Sequence, residues 1–258
     1  MENNIYLQTM RTLVMGDIHG AYAAMVQCLD RAGFIPGTDR LIQLGDAVDR
    51  GPDSYECVES LIGLTNLVAL KGNHDEWLHE FITTGYHTGR WAHGGRATIQ
   101  SYGSRLGEPV KIILKTGGGC KTSFEPHNIP ESHRQFFAGQ QLYYIDEQNN
   151  CFVHGGFDTR LPFFEQPSRN YYWNRTLWLE AMAFVNLPAS KQSVETFQVE
   201  THFNEIFIGH SPTTNWNTDQ PMHLLNIWNL DTGAGHNGRL TVMDVETKEY
   251  WQSDKLSQ

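Results

Sequence analysis

The chain is poor in positive charge. Lysine and arginine number 19 of 258 residues against 29 aspartates and glutamates, a formal net charge of -10. No basic cluster offers the phosphate-binding stripe that a nucleic-acid surface needs, so any phosphate recognition must be local. Cysteine is sparse too. Cys28, Cys57, Cys120 and Cys151 lack the paired spacing of a zinc ribbon or a disulfide framework, which points to a reducing compartment. No apolar run is long enough to span a bilayer, and Met1 to Arg11 lacks the basic, apolar and small-residue succession of a signal peptide. The expectation is a cytoplasmic protein, in which the sequon Asn174-Arg175-Thr176 carries no glycan. Internal repeats and low-complexity segments are missing as well. With 40 % hydrophobic and 19 % charged residues, the chain can bury a full core, and we expect one domain over residues 1–258.

What the chain does hold is histidine, twelve in all, several of them inside glycine- and aspartate-rich clusters. Gly16-Asp17-Ile18-His19-Gly20, Gly45-Asp46-Ala47-Val48-Asp49-Arg50-Gly51 and Gly72-Asn73-His74-Asp75 each follow an apolar run. Those runs, Leu13 to Met15, Leu41 to Leu44 and Leu67 to Leu70, read as buried strands. Ala21 to Ala32 and Ser54 to Leu64 read as the crossover helices between them. An open α/β sheet binds ligands just outside the carboxyl ends of its strands, so the three clusters are expected to meet.

Further along, Glu76 to Thr83 reads as a helix closed by Gly85. From Tyr86 to Ser123 glycines break the pattern, and residues 84–129 are expected to form a lid or cap inserted in the domain. Gly117-Gly118-Gly119-Cys120-Lys121-Thr122 fails as a phosphate loop, since no Gly directly precedes the Lys. Glu131 to Gly139 reads as a helix, Leu142 to Ile145 and Cys151 to Val153 as a hairpin running into His154-Gly155-Gly156, and Trp173 to Phe184 as a helix. Glu205 to Ile208 is a strand ending in Gly209-His210. His223 to Ile227, Leu240 to Asp244 and Lys248 to Gln252 are the remaining strands.

Taken singly, each cluster has a plain structural reading. Asp-x-His-Gly is a common turn, Asp49, Asp53 or Asn73 could cap a helix, and His154 could be an ordinary buried histidine. Taken together, they supply six oxygen and nitrogen ligands, Asp17, His19, Asp46, Asn73, His154 and His210, more than one tetrahedral ion uses. Such a set suits two ions roughly 3.5–4 Å apart. Imidazole and carboxylate without thiolate favour Mn, Fe, Zn or Co over Ca or a dedicated Mg cage. His79, His87, His127, His133, His202 and His223 lack a partner pattern and are expected in solvated or capping roles. His93 and His236 sit beside glycine-rich turns and are candidates to line the pocket.

These clusters, in this order, resemble the phosphoprotein phosphatase branch of the calcineurin-like metallophosphoesterases, its small bacterial and phage members above all. The resemblance extends to Trp91–Tyr102, Pro130–Tyr144, Tyr172-Trp173-Asn174-Arg175 and Leu230-Asp231-Thr232-Gly233. It implies an α/β fold of two mixed β-sheets in a sandwich flanked by helices. It also implies two divalent metal ions, Mn²⁺ before Fe, Zn, Co or Ni. Asp17 and His19 would hold the first, Asp46 would bridge, and Asn73, His154 and His210 would hold the second. Hydroxide shared by the ions would attack phosphorus in line. His74 would protonate the leaving oxygen with Asp49 orienting it, Arg50 and Arg175 would clamp the phosphate, and Asp231 would support a ligating histidine. One departure from the pattern is Asp75, where the family usually has Glu.

The expected function is a metal-dependent phosphomonoesterase acting on phosphoserine or phosphothreonine proteins, with phosphotyrosine as a further substrate. Hydrolysis of a dinucleoside polyphosphate such as diadenosine tetraphosphate is the alternative, and a scaffold without metals a third. A metal-free route has no nucleophile, since no Cys has Arg six residues after it and no Asp-x-Asp occurs. Partners would be a phosphorylated protein or a nucleotide, with no nucleic-acid surface and no membrane, and the chain would be a monomer.

Overall fold

The computed structural model describes residues 10–86, 88, 89, 91, 94–107, 109–114, 120–188, 191, 192 and 203–256. His87, His93, His202 and Gly117–Gly119 therefore lie outside the described residues. Two five-stranded sheets face each other. The first contains β1 (Thr12–Met15), β2 (Arg40–Gln43) and β3 (Leu67–Ala69), which run parallel, and then β11 (Thr241–Asp244) and β12 (Tyr250–Gln252), in the order β12-β11-β1-β2-β3. The second is built from β6 (Tyr143–Ile145), β7 (Cys151–Val153), β8 (Ile206–Ile208), β9 (Met222–Leu224) and β10 (Ile227–Asn229), in the order β6-β7-β8-β10-β9, with β7, β8 and β10 parallel.

Alternation along the strands explains the layers. Val14 and Ile42 point inward with Phe152, Phe207, Leu230 and Met243, so the two sheets share one core between them. Leu13, Met15 and Leu41 point the other way, onto α1 (Tyr22–Arg31), α2 (Ser54–Ile62) and α3 (Asn73–Thr84). Cys151, Val153, Ile206 and Ile208 meet α6 (Ser168–Trp173) and α7 (Thr176–Val185) on the far side through Tyr171, Trp178 and Ala181. A strand buried on both faces has no polar side to show, which is why the sequence reads there as unbroken apolar runs. This is the expected sandwich of two mixed sheets flanked by helices.

Three expectations need correction. The stretch 86–123 is not irregular throughout, for α4 (Gly95–Gly103) lies inside it, followed by the small hairpin of β4 (Ile112–Leu114) and β5 (Cys120–Thr122). The expected helix from Trp173 begins instead at Thr176. Trp173 closes α6, and Asn174 Oδ1 accepts the Thr176 N–H, so the chain turns between the two helices. The expected strand His223 to Ile227 is a tight hairpin, β9 to β10, turning at Leu225 with φ +58°. α5 (Glu131–Gly139) lies where expected.

Candidate active site

Six parallel strand ends deliver the predicted residues to one edge of the sandwich. Asp17 and His19 follow β1, Asp46 follows β2, and Asn73 and His74 open α3 after β3. From the second sheet, His154 follows β7, His210 follows β8 and Asp231 follows β10. All of these are buried. The chain turns sharply to aim them, and His19, Asp46, Asp49, Arg50 and His210 all have φ between +50° and +73°. Left-handed backbone at non-glycine residues is uncommon and gathers at functional sites. Gly72 and Gly209 let the loops approach, since a Cβ on either would stand 2.1 Å from a carboxylate oxygen of Asp46 or Asp17.

Backbone carbonyls fix the imidazoles. His154 Nδ1 donates to Leu44 O at 2.8 Å and His19 Nδ1 to Val48 O at 3.1 Å, which leaves each Nε2 with a lone pair. The two Nε2 atoms face Asp46 Oδ2 from 3.4 and 3.6 Å, and His154 Nε2 lies 3.2 Å from Asn73 Oδ1. Two groups able to hold a metal ion result, His19–Asp46–His74 and Asp46–His154–His210, with donor atoms within 4.8 Å of one another in each. Asp46 belongs to both. Asp17 takes the His210 N–H at 3.1 and 3.3 Å. His210 Nε2 is buried without a hydrogen-bond partner among the described residues.

Charge makes the same case. Burial, and then Asp231 and Asp46, hold the Asp17 carboxyl well above its usual range. Burial also pushes Asp75 and Asp231 up to about 6 each, with Asp46 adding to both. Asp46 is instead held low, because His154, His74 and His19 outweigh its own burial. Burial holds His19 and His210 well below the usual histidine range, so both are neutral and able to ligate. Crowded carboxylates, neutral imidazoles and an orphaned ring nitrogen are the donor set of a cation site.

A model of the calcineurin-like phosphoesterase family matches residues 10–215. The chain belongs to the calcineurin-like phosphoesterases. It is a phosphatase, a hydrolase of phosphoric esters. Family membership implies a dinuclear divalent metal centre, and the two groups joined at Asp46 fit one. Serine/threonine-protein phosphatase 1 of Salmonella typhimurium is 24 % identical over 238 residues, 90 % of this chain and 91 % of that protein. The symmetrical bis(5'-nucleosyl)-tetraphosphatase of Erwinia tasmaniensis is 48 % identical over only 67 residues, 26 % of this chain and 24 % of its own. The crystal structure of a candidate diadenosine tetraphosphatase superposes with a TM-score of 0.64 at 17 % identity, covering 98 % of this chain and 96 % of its own, a likeness of fold.

Beside this phosphoesterase centre, His74 Nδ1 and Asp49 Oδ2 stand 2.7 Å apart. Burial pushes His74 down, but Asp46 and the Asp49 hydrogen bond more than reverse it, so its pKa is raised. Arg175 donates to His210 O at 3.0 Å and faces Asp231, Asp46 and Asp17. Arg50 lies 3.5 Å from His236 Nδ1. His236 joins the pocket edge-on to His19, and burial, Arg50, His74 and Arg175 lower it to about 4.

Asp231 does not support a histidine in the described contacts. It accepts the Gly233 N–H, and carbonyls of Leu44 and Val48 do that work for His154 and His19. His133 is not solvated: it is fully buried between Tyr102 Oη at 2.8 Å and Glu59 Oε2 at 2.7 Å, on a helix face that its polar neighbours disguised.

Proposed function

We propose that the chain is a metal-dependent phosphomonoesterase acting on phosphoserine and phosphothreonine proteins. The observation that carries the reading is that Asp46 is common to both residue groups able to hold an ion, with His74 of the first group hydrogen-bonded to Asp49. Asp17, His19, Asp46, Asn73, His154 and His210 hold two ions in this reading, with Mn²⁺ the first choice. Ions so held would supply Lewis acidity to the phosphoryl oxygens and a nucleophilic water at neutral pH. Arg50 and Arg175 neutralise the equatorial oxygens as charge grows on them. His74, raised in pKa and held through Nδ1, gives its other ring proton to the leaving oxygen, and Asp49 stabilises the imidazolium before transfer. The protein-phosphatase reading is supported by the Salmonella relative, matched over nearly its whole length.

A second reading, hydrolysis of a dinucleoside polyphosphate, is favoured by the aromatic wall of the site. Trp77 packs edge-on to His74 at 4.7 Å, Trp173 to Trp77 at 5.4 Å and to His210 at 5.8 Å, surfaces on which a nucleobase could stack. Chelator-stripped protein with Mn²⁺ restored should be assayed in parallel on p-nitrophenyl phosphate, a phosphothreonine peptide and diadenosine tetraphosphate, with Asp46→Asn as control. Peptide turnover with little dinucleotide cleavage supports the first reading. The reverse moves the chain to nucleotide chemistry, and no turnover with any of Mn²⁺, Zn²⁺, Co²⁺ or Ni²⁺ overturns both.

A further inference from the structure

Asp49 is completely buried, and His74 uses only one of its two carboxylate oxygens. The other, Oδ1, accepts two hydrogen bonds from residues far along the chain: the Thr98 hydroxyl at 2.6 Å and the Trp91 indole N–H at 3.1 Å. Thr98 Oγ1 also accepts the Asp49 main-chain N–H at 2.9 Å. One hydroxyl thus bridges the backbone and the carboxylate of the same residue. It does so where the backbone is left-handed, with φ +73° at Asp49 and +68° at Arg50. Gly94 closes the contact, for its carbonyl accepts the Arg50 N–H at 3.2 Å and a Cβ on it would stand 2.9 Å from Asp49 Cβ.

The helix that carries Thr98 is itself anchored. Ser101 Oγ accepts the Tyr55 N–H at 3.0 Å, and Tyr102 joins His133 and Glu59. Ser54 Oγ lies 3.2 Å from Thr98 Oγ1, a further polar contact inside the pocket. A carboxylate with both oxygens engaged cannot rotate about its last bond, and fixed orientation is what an acid needs to meet its leaving group.

Resting on the reading of His74 as the general acid, we propose that Thr98 and Trp91 are positioning residues for phosphoryl transfer. They lock the Asp49 carboxylate so that the His74 imidazole presents its free ring nitrogen to the leaving oxygen. On this proposal Trp91 and α4 complete the proton-delivery apparatus.

The test is the dependence of rate on leaving group. Phenolate needs a proton on departure, and p-nitrophenolate needs it far less. Thr98→Val keeps shape and loses the hydroxyl, and it should lower kcat on phenyl phosphate by about tenfold or more, with a clearly smaller loss on p-nitrophenyl phosphate and KM within about twofold. Thr98→Ser restores the hydroxyl and should restore the rate. Trp91→Phe should repeat the pattern more weakly, and it carries the comparison if Thr98→Val fails to fold. In cation-free protein labelled with ¹⁵N-histidine, the His74 Nδ1–H resonance should shift or broaden in Thr98→Val and return in Thr98→Ser. Equal losses on both esters, or an unmoved His74 resonance, would overturn the proposal. Should His74→Asn show no leaving-group dependence, the acid role fails on its own account, and the resonance alone then decides whether Thr98 holds the pair.

Discussion

Asp75 Oδ2 accepts the main-chain N–H of Asp46 at 2.8 Å, which ties the helix carrying Asn73 and His74 to the loop carrying Asp46. Its carboxylate also accepts Ala47 N–H at 3.0 Å, Gly72 N–H at 3.1 Å and Gln140 Nε2 at 2.9 Å. One buried side chain therefore satisfies four donors from three segments. Asp75→Ala leaves all four unpaired and should cost about 3 kcal/mol or more of stability, visible as a lower urea midpoint. A loss below about 1 kcal/mol would show that water replaces the carboxylate without penalty. The shorter stem that sets Asp75 apart from the family's Glu suffices here, because the donors converge on it directly.

His74→Asn should separate chemistry from metal loading. In the proposed mechanism His74, hydrogen-bonded to Asp49, is the proton carrier, although its ring also belongs to the His19–Asp46 group. Turnover on a phosphopeptide should fall about a hundredfold or more, while metal content by mass spectrometry stays near that of the unsubstituted chain. Loss of an ion in this variant would instead make His74 a ligand.

The extent to which these features were legible follows from what each residue buries. β1, β7 and β8 are buried apolar runs followed directly by glycine or histidine, and the glycine clusters after β2 and β3 come within three residues, so strands and site could be read together. α4 could not. It opens at Gly95, ends at Gly103 and carries Arg96, Thr98, Gln100 and Ser101 between them, a polar and glycine-bounded segment whose only large apolar pair is Ile99 and Tyr102. Its helical state depends on long-range partners, Asp49 for Thr98 and His133 for Tyr102. The β9–β10 turn escaped for a related reason, since its left-handed position falls on Leu225 and not on the neighbouring Asn226. His133 was hidden because its partners Glu59 and Tyr102 are 74 and 31 residues away.

His133 also gives the fold a pH dependence. Burial lowers its pKa more than the hydrogen bond to Glu59 raises it, while the Tyr55 and Tyr102 rings close around it. The unfolded chain therefore binds a proton below about 6.5 more readily than the folded one. Its contribution is present above that pH and is lost as pH falls toward the lower folded value. His133→Asn should be less stable at neutral pH, having disturbed the Tyr102 contact, yet its urea midpoint should fall less steeply on acidification. Parallel slopes for the two proteins would assign the acid sensitivity elsewhere.

Cation binding should stabilise the chain in proportion to the repulsion it relieves. Asp17, Asp46 and Asp231 are buried together, and Asp231 is the largest single charge opposing ionisation of Asp17. A divalent ion at about a hundred times its dissociation constant adds about 2.7 kcal/mol to stability by mass action, so Mn²⁺ should raise the melting temperature and a chelator should lower it. Asp231→Asn sharpens the test. The amide oxygen can still accept the Gly233 N–H that Asp231 Oδ1 takes at 3.1 Å, while the charge facing Asp17 is gone. The chelated variant should therefore melt higher than the chelated unsubstituted chain, and it should gain less on adding Mn²⁺, as read by calorimetry. If the variant melts lower without metal, Asp231 is held there by contacts other than its charge, and electrostatic crowding is not what prepares the site for its ions.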